Sequence, residues 1–167
     1  MSIKYTTYES PLGTLTLYAT DCALVGLTFP TQFINFSDSL TQVDSATSPI
    51  LTQAVQWLDQ YFSGQIPSIT IPLDPRGTEF QQRVWSQLEQ IPYGTFLTYG
   101  ELSQRVFNSP VPKGAQAIGS AVGANPISLI IPCHRVLGKG KTLTGYTGGL
   151  SIKRALLTIE HIAFVDK

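Results

Sequence analysis

A cysteine, a histidine and an arginine stand side by side directly after an apolar run, and they are the residues of this chain best suited to chemistry. The run covers residues 127–132, and Cys133, His134 and Arg135 follow it. A free thiol with a pKa of about 8.5 is mostly protonated at neutral pH, so it reacts only when a base or a nearby cation favours the thiolate. His134 is a candidate base, acting directly or through a water, if a carboxylate orients its ring. Glu160 is the candidate carboxylate, because its place on an apolar helix would be costly unless it is paired.

The same residues also fit an unreactive arrangement. Composition alone favours a buried, inert cysteine beside a hydrogen-bonded histidine. The cysteines and histidines of the chain are Cys22, Cys133, His134 and His161. They lack the paired spacing of zinc ligands, and Cys22 lies in a predicted turn where an unremarkable thiol is expected. The sequence therefore predicts no metal site and leaves Cys133 as the candidate nucleophile.

The apolar run is the element that positions these residues. A short apolar run bounded by turn residues is typical of a buried strand. Pro132 would end that strand, because proline cannot donate a hydrogen bond to a sheet and holds the preceding residue extended. We therefore expect Cys133 to follow a rigid buried strand that stops at Pro132.

The first part of the chain predicts a small β-sheet with one helix. Short strands are expected over residues 3–9, 13–20, 23–29 and 69–73. Residues 30–47 are polar and are expected to be irregular. Ser48 and Pro49 form an N-cap followed by proline, and they predict a helix that ends at Gly64.

A turn at residues 74–77 is the predicted junction between an N-terminal domain, residues 1–75, and a C-terminal domain, residues 76–167. The predicted fold class is α/β (α+β). It combines a small N-terminal sheet and helix with a mainly helical domain, in which a helix-turn-helix unit accompanies the cysteine.

In the C-terminal domain, helix start signals predict four helices. They are a helix capped by Thr78, a second from the capping box Thr98–Glu101 to about Phe107, a third over residues 113–124, and a last from Ser151 to about His161. The second and third have the plan of a helix-turn-helix unit. Past Lys113, the third offers only Gln116 as a long polar side chain, so it suits a close, sequence-neutral contact or tight packing rather than base reading. On the last helix, Lys153 and Arg154 are expected to be exposed.

Composition and charge narrow the class of protein. Hydrophobic residues make up 43% and charged residues 13% of the chain, which argues against disorder. No apolar run approaches the roughly 20 residues of a membrane span, and the N-terminus lacks a signal-peptide core. Two distant cysteines predict a reducing, cytoplasmic setting.

The charges are unevenly distributed although the net charge is zero. Residues 1–75 carry one cation and six anions, whereas residues 76–167 carry ten cations and five anions. This division fits an anionic partner for the basic half, and it equally fits a chance distribution on a solvated surface.

A series of short motifs runs through residues 80–160. They are Phe80–Trp85, Ile91–Gly94, Thr98–Leu102, Gly119–Pro126, Pro132–Val136, Gly145–Gly149 and Lys153–Glu160. In this order they resemble the O6-alkylguanine-DNA alkyltransferases, also called methylated-DNA–protein-cysteine methyltransferases. The resemblance covers about half the chain, and residues 1–75 match only in general pattern.

This resemblance implies a DNA repair reaction in which each protein molecule acts once. The thiolate of Cys133 would attack the alkyl carbon on O6 of guanine, with O4 of thymine as a further alkyl donor, and would keep the alkyl group. Glu160, His134 and a water would deprotonate Cys133, while Asn125 would brace the turn that carries them. Tyr99 would donate a proton toward N3 of the base. The resemblance implies no cofactor, and the ligands of the N-terminal zinc site that some relatives carry are missing here.

The resemblance also implies the contacts with the base. The backbone N–H near Thr147 would meet O6, with Tyr146, Gly148 and Val122 around the base. The carbonyls of Cys133 and Val136 would meet the exocyclic amine.

The implied partner is double-stranded DNA containing O6-alkylguanine, bound through the minor groove with little sequence specificity. The protein would be a monomer, and cooperative binding on DNA stays open. The small-residue helix would contact DNA through Ala115, Gln116 and Ser120, with Arg135 as a further DNA-binding residue. The base must leave the duplex, at a cost of about a few kcal/mol.

One position departs from the family pattern. The usual Ala-Arg-Ala-Val run, whose arginine enters the stack vacated by the base, is here Ala115-Gln116-Ala117-Ile118. Glutamine is shorter and neutral, so we expect weaker base flipping from duplex DNA and unimpaired transfer to a free base.

Three alternatives stay open. An alkyltransferase-like protein binds damaged DNA without repair because it lacks the cysteine, so Cys133 argues against it while Gln116 leaves room for an altered binding role. A sequence-specific regulator needs a base-reading helix, which residues 113–124 do not supply. A cysteine hydrolase would turn over many times.

Overall fold

The computed structural model describes residues 2–146 and 148–166, and it confirms the predicted mixed α/β class. The chain divides into two compact units, Met1–Arg76 and Gly77–Lys167. The first contains a sheet and a helix, and the second is mainly helical. Within the described residues, no helix is long and apolar enough to cross a membrane.

The first unit is built on a four-stranded sheet. Its strands are β1 (Ser2–Ser10), β2 (Gly13–Ala19), β3 (Leu24–Thr28) and β4 (Ser39–Gln42), in the spatial order β3-β2-β1-β4. The first three strands are antiparallel neighbours, whereas β4 runs parallel to β1. Alternate residues of β2, which are Leu15, Leu17 and Ala19, are fully buried. This period of two is the one expected of a sheet with one buried face.

One helix, α1 (Pro49–Phe62), packs against this sheet. The hydroxyl of Ser48 accepts a hydrogen bond from the backbone N–H of Leu51 at 3.2 Å, and Pro49 follows it. The helix therefore starts at the N-cap that the sequence predicts. Its buried residues, including Leu51, Ala54 and Leu58, repeat at helical spacing.

Two predictions for the first unit are wrong. Residues 39–42 were expected to be irregular, yet they form the edge strand β4. All four are exposed, so no alternation of apolar and polar residues reveals the strand. Residues 69–73 were expected as a strand, yet they contribute a single bridge between Leu24 and Leu73. Pro72 has no N–H to extend the pairing.

The described part of the second unit contains four α-helices and a short parallel strand pair. The helices are α2 (Glu79–Glu89), α3 (Tyr99–Phe107), α4 (Ala115–Gly123) and α5 (Leu150–Ile159), and the strands are β5 (Leu97–Thr98) and β6 (Val136–Leu137). The capping residues Thr78 and Thr98 each accept a hydrogen bond from the backbone N–H three residues later. The side chains of Gln81 and Glu101 accept hydrogen bonds from the backbone N–H groups of Thr78 and Thr98. Both helix starts thus follow the sequence prediction.

Helix α4 begins two residues later than predicted. Gly114 precedes it with φ of +64°, a left-handed conformation that interrupts a right-handed helix. A Cβ at this position would also lie 2.7 Å from the Phe107 ring. The helix packs on its neighbours through Ile118 and Ala121, and the indole N–H of Trp85 donates to the Ala121 carbonyl at 2.8 Å.

The apolar run before Cys133 is not the strand that its composition predicts. The backbone N–H of Ile131 donates to the Ile127 carbonyl at 3.0 Å, and Leu129 has φ of +72°. The run is therefore a compact turn. Three of its apolar side chains, Ile127, Leu129 and Ile131, are fully buried, and Ile130 is half-buried. An apolar run indicates burial, and here a turn rather than a strand buries most of it.

Candidate active site

Cys133 opens a single turn of 3-10 helix, Cys133–Arg135, which follows the buried turn over residues 127–131. The residue is only 2% exposed, and it lines a cavity of about 290 Å³. The other lining residues are Tyr99, Gly119, Val122, Gly123, Gly145 and Tyr146. The thiol thus forms part of the wall of a pocket that lies between the start of α3, one face of α4 and the glycine-rich segment before α5.

Asn125 fixes the turn that delivers the cysteine. Its side-chain amide donates to the Ile131 carbonyl at 2.8 Å, and its side-chain carbonyl accepts from the Ile127 N–H at 3.0 Å. Asn125 is buried, and its side chain acts to lower the pKa of the Cys133 thiol. The bracing role predicted for Asn125 is consistent with these contacts, because they join both ends of the turn.

His134 and Glu160 form a buried pair behind the cysteine. Nε2 of His134 lies 2.6 Å from Oε2 of Glu160, and neither side chain is exposed to solvent. Nδ1 of His134 is buried and has no hydrogen-bond partner within residues 2–146 and 148–166. If Nε2 carries the ring proton, Nδ1 is a free acceptor on the histidine that adjoins Cys133.

Arg135 occupies the second oxygen of Glu160. Its Nε donates to Oε1 at 2.7 Å, and the backbone N–H of Gly94 donates to the same oxygen at 3.1 Å. The guanidinium also donates to the Ile91 carbonyl at 2.7 Å. Arg135 is 7% exposed, and its Nε and Nη1 donate to Glu160 and Ile91, so its burial disfavours the DNA contact that was predicted for it. A basic residue in sequence beside the nucleophile is here a buried partner of Glu160.

Burial and neighbouring charges set the protonation states of the pair. Burial lowers the pKa of His134; Glu160 opposes this shift, and the charges of Arg135 and Lys153 reinforce it. Burial alone would raise the pKa of Glu160, but His134 and Arg135 outweigh it and lower that pKa to about 2. The pair at neutral pH is therefore an ionised carboxylate beside a neutral imidazole.

The thiol itself is held protonated at rest. Burial raises the pKa of Cys133, while hydrogen bonds from Asn125 and Tyr146 and the charge of Lys153 act to lower it. Because the net direction is upward, Cys133 needs a base when it reacts. The neutral His134 is the adjoining candidate.

Lys153 lies inside the protein, although the sequence predicts it on the exposed face of the last helix. Its ammonium group donates to the Val136 carbonyl at 2.8 Å and lies 3.4 Å from two oxygens of Thr144. Burial lowers its pKa to about 8, whereas a negative charge on Cys133 raises it. The missed signal is spacing, because Lys153 shares the buried face of α5 with Leu156, Leu157 and Glu160.

Tyr99 lines the pocket at the first position of α3. Burial raises the pKa of its phenol, a hydrogen bond with Thr144 lowers it, and the charge of Cys133 raises it. The net shift is upward, so the phenol keeps its proton at neutral pH. That state is the one required of a proton donor.

The other predicted substrate residues surround the pocket in part. Val122 and Tyr146 line it, and Gly148 is buried nearby in sequence. The Val136 carbonyl already accepts from Lys153, but a carbonyl oxygen has a second lone pair. Thr147 lies outside the described residues.

The predicted DNA-contacting residues of α4 are accessible. Ala115, Gln116 and Ser120 are exposed, on the side of the helix away from Ile118 and Ala121. Gly119, between them, would meet nothing within 4 Å if it carried a Cβ. The outer face of the helix thus offers small side chains and one glutamine.

No cluster of three or more His, Cys, Asp or Glu side chains that could hold a metal occurs in the described part of the chain.

Comparison with known proteins covers both units. The family model of the 6-O-methylguanine DNA methyltransferase, ribonuclease-like domain matches residues 3–75, and that of the DNA binding domain of the same family matches residues 79–162.

Similar proteins align over almost the whole chain. A methylated-DNA–protein-cysteine methyltransferase of Haemophilus influenzae is 41% identical over 99% of this chain and 90% of its own length. The constitutive methylated-DNA–protein-cysteine methyltransferase of Bacillus subtilis is 36% identical over 98% of both chains. The crystal structure of Mycobacterium tuberculosis OGT in complex with DNA is 40% identical and superposes with a TM-score of 0.82 over 94% of this chain and 92% of that chain. The chain therefore belongs to the 6-O-methylguanine DNA methyltransferase family.

Proposed function

We propose that this protein repairs DNA by transferring an alkyl group from O6 of guanine to the sulfur of Cys133, once per protein molecule. The observation that carries this proposal is a pocket-lining thiol whose neighbour in sequence, His134, forms a buried pair with Glu160. The relatives named as methylated-DNA–protein-cysteine methyltransferases support the same activity. O4 of thymine is a second alkyl donor under this proposal.

The reaction is a single displacement at the alkyl carbon. His134 takes the thiol proton at Nδ1, directly or through a water, while Glu160 stabilises the imidazolium that forms. The S–C bond forms as the C–O6 bond breaks, and the electron pair of that bond leaves with the guanine. Tyr99 donates a proton toward N3 and so improves the leaving group. The thioether that results has no route to hydrolysis, so the protein does not turn over.

The base binds within the pocket of Cys133. Val122 and Tyr146 flank it, and backbone groups near Thr147 and Gly148 meet O6. The carbonyls of Cys133 and Val136 accept from the exocyclic amine. A cavity of about 290 Å³ suits one extruded base rather than a stacked pair.

DNA binds through the exposed face of α4, from the minor groove and with the target base flipped out. Small side chains at Ala115 and Ser120 permit a close approach of the helix to the sugar-phosphate backbone, and they read no base edges. The protein acts as a monomer, and its affinity is mostly electrostatic. The DNA complex of the M. tuberculosis relative supports a DNA partner.

The decisive experiment is mass spectrometry after incubation with a duplex that contains one O6-methylguanine. We expect one added methyl group on the peptide that contains Cys133, and the duplex is left with an unmodified guanine. Cys133→Ala abolishes the transfer, whereas Cys22→Ala, which removes the exposed thiol, leaves it intact. Product that accumulates beyond one equivalent would identify a hydrolase and overturn the proposal.

Gln116 supports a second candidate function, binding of damaged DNA with weak repair. It is exposed on the first turn of α4, where its neutral side chain is shorter than the arginine expected at this position. We expect Gln116→Arg to speed transfer from duplex DNA about tenfold and to leave transfer from free O6-benzylguanine unchanged, since a free base needs no flipping. Stopped-flow rates on both substrates test this, with Gln56→Arg at an exposed position of α1 as the charge control. An unchanged duplex rate would show that Gln116 does not limit flipping.

A further inference from the structure

Glu160 divides its two oxygens between different partners, and this division has a consequence for His134. Oε2 lies 2.6 Å from Nε2 of His134, and Oε1 lies 2.7 Å from Nε of Arg135. Glu160 and His134 have no exposed side-chain surface, and the side chain of Arg135 is 9% exposed. The three groups therefore form one cluster that solvent barely reaches.

Arg135 is anchored independently of Glu160. Its Nη1 donates to the Ile91 carbonyl at 2.7 Å, and its guanidinium carbon lies 5.7 Å from the centre of the Tyr93 ring. Both contacts come from the segment between α2 and β5. The guanidinium thus meets the carboxylate in a fixed place, and Gly94 from the same segment donates to the same oxygen.

The charge of the cluster decides where protons reside. With Arg135 cationic, Glu160 ionised and His134 neutral, the buried cluster has no net charge. Without Arg135 it would carry one buried negative charge, which is costly in the protein interior. Uptake of one proton would remove that charge. The proton would either make the imidazole cationic, or reside on Glu160 while the ring keeps its own proton on Nδ1. In both states Nδ1 cannot accept a proton.

The other groups that face the cluster do not replace Arg135. Lys153 on α5 lowers the pKa of His134, but its hydrogen bonds go to Val136 and Thr144. The pKa values of Tyr93 and Cys133 are raised, so both are neutral at neutral pH. Arg135 is thus the cation in direct contact with Glu160.

We propose that Arg135 is a positioning residue of this site: by balancing the charge of Glu160, it keeps Nδ1 of His134 free to accept the proton of Cys133. This inference rests on the proposed function for the identity of the proton donor. Under that function, Arg135 touches neither the alkylated base nor the reacting atoms.

Nitrogen-15 NMR of the imidazole rings tests the proposal in the absence of substrate. The chain has only two histidines, and His161→Asn assigns their signals. At pH 7 we expect His134 of the parent protein to carry its proton on Nε2 and none on Nδ1. Arg135→Lys keeps the charge and this state, whereas Arg135→Gln produces a protonated Nδ1.

Transfer kinetics provide a second readout. Free O6-benzylguanine as substrate removes DNA binding from the measurement. Between pH 7.5 and pH 5.5, where Lys153 with its pKa of about 8 stays mostly charged, the single-turnover rate of the parent and of Arg135→Lys changes by less than about twofold, and that of Arg135→Gln falls about tenfold, equivalent to a shift of about one pH unit. In a Glu160→Gln background the cluster has no negative charge for Arg135 to balance, so Arg135→Gln adds no acid sensitivity.

The outcomes separate the proposal from a merely structural role. A structural role slows Arg135→Gln by the same factor at every pH and leaves Nδ1 unprotonated, which overturns the proposal. A protonated Nδ1 in the parent at pH 7 overturns it as well, and this measurement holds even if Arg135→Gln does not fold. If Cys133 of the parent takes up no alkyl group, the proposed function fails, while the NMR comparison still decides the role of Arg135.

Discussion

At the scale of single residues, the site depends on buried charges that compensate one another. Glu160 is ionised in a place where burial opposes ionisation, and His134 and Arg135 make that state favourable. Lys153 is a buried cation whose nearest strong partners are uncharged carbonyl and hydroxyl oxygens. Because these partners carry no charge, the positive charge of Lys153 is available to stabilise the thiolate of Cys133 when that thiolate forms. Both arrangements predict measurable effects.

Glu160→Gln tests the buried ion pair through acid stability. The pKa of Glu160 is lowered from 4.5 to about 2 on folding, so its stabilisation is complete above the unfolded pKa and is lost as the pH falls toward 2. We expect the difference in unfolding free energy between parent and variant to shrink by about 2 kcal/mol from pH 6 to pH 3. Urea denaturation at intervals of pH measures this. Glu79→Gln, on the exposed start of α2, is the control and gives a constant difference. A constant difference for Glu160→Gln would contradict the ion pair.

Lys153→Met tests the electrostatic support of the thiolate. The charge of Lys153 lowers the pKa of Cys133, so its removal raises that pKa further. We expect iodoacetamide to alkylate the Cys133 peptide about tenfold more slowly at pH 7, where Lys153 of the parent is mostly charged, which corresponds to about one pKa unit. Arg154→Met removes the neighbouring cation, which pairs with Asp166 at 2.8 Å, and should leave the rate unchanged. Equal rates for the two variants would exclude a direct effect of Lys153.

At the scale of elements, the site depends on a buried turn, on the start of α3 and on the end of α5. The turn over residues 125–131 presents Cys133, α3 begins at Tyr99, and the far end of α5 supplies Glu160 as its C-cap residue. None of these residues lies in the middle of a long regular element. At such ends, backbone N–H and carbonyl groups are available to side chains, and Asn125 binds two of them, the Ile127 N–H and the Ile131 carbonyl.

Asn125→Ala tests how far the turn governs the site. The substitution leaves the Ile127 N–H buried without a partner, which costs about 1–3 kcal/mol, and it removes one of the two hydrogen bonds of the Ile131 carbonyl, which costs about 1 kcal/mol because the Cys133 N–H still donates to that carbonyl at 2.8 Å. We expect a loss of about 2–4 kcal/mol in unfolding free energy and slower transfer to O6-benzylguanine. Asn35→Ala, at an exposed position of the first unit, serves as the control and stays within about 0.5 kcal/mol of the parent. A stable variant with normal transfer would mean that the apolar packing alone holds the turn.

The sequence predicts elements with local start signals and fails where only tertiary contacts decide. Ser48, Thr78 and Thr98 are side-chain caps, and each helix begins where its cap predicts. The turn before Cys133 was predicted as a strand, because an apolar run reports burial and not backbone conformation. Lys153 was predicted to be exposed, because charged side chains are rarely buried without a partner, and its partner, the Val136 carbonyl, is distant in sequence. The family resemblance supplied the role of Tyr99, which spacing alone could not assign, whereas Glu160 was already a candidate from its place on an apolar helix.

At the scale of the whole molecule, ion pairs and burial reduce the number of cations that an anionic partner can reach. The first unit contains two cations, Lys4 and Arg76, and both form ion pairs within that unit. In the second unit, Arg135 and Lys153 are buried. Exposed cations of the second unit are Arg83, Arg105, Lys113, Lys139 and Lys141. These exposed cations, rather than the formal count, are available to an anionic partner.

Lys139 and Lys141 are the strongest candidates for DNA backbone contacts among them. They belong to one exposed 3-10 turn, and Lys139 shares a cavity of about 410 Å³ with Thr98 and Gly100, the neighbours of Tyr99 at the start of α3. A phosphate bound there would lie beside the start of α3, where Tyr99 lines the pocket of Cys133. The contact would position DNA and carry no sequence information.

The double variant Lys139→Gln, Lys141→Gln tests this placement through salt dependence. Each lysine that neutralises a phosphate contributes about −0.9 to the slope of log K against log salt concentration. We therefore expect the slope for duplex DNA to become shallower by about 1.8, with equal losses of affinity for two duplexes of unrelated sequence. Fluorescence anisotropy between low and moderate salt measures both quantities. Lys4→Gln, which removes a cation paired with Asp21 in the first unit, leaves the slope unchanged. If the double variant keeps the parent slope while transfer to free O6-benzylguanine stays normal, the DNA backbone runs elsewhere on the second unit, and Arg105 and Lys113 are the next cations to replace.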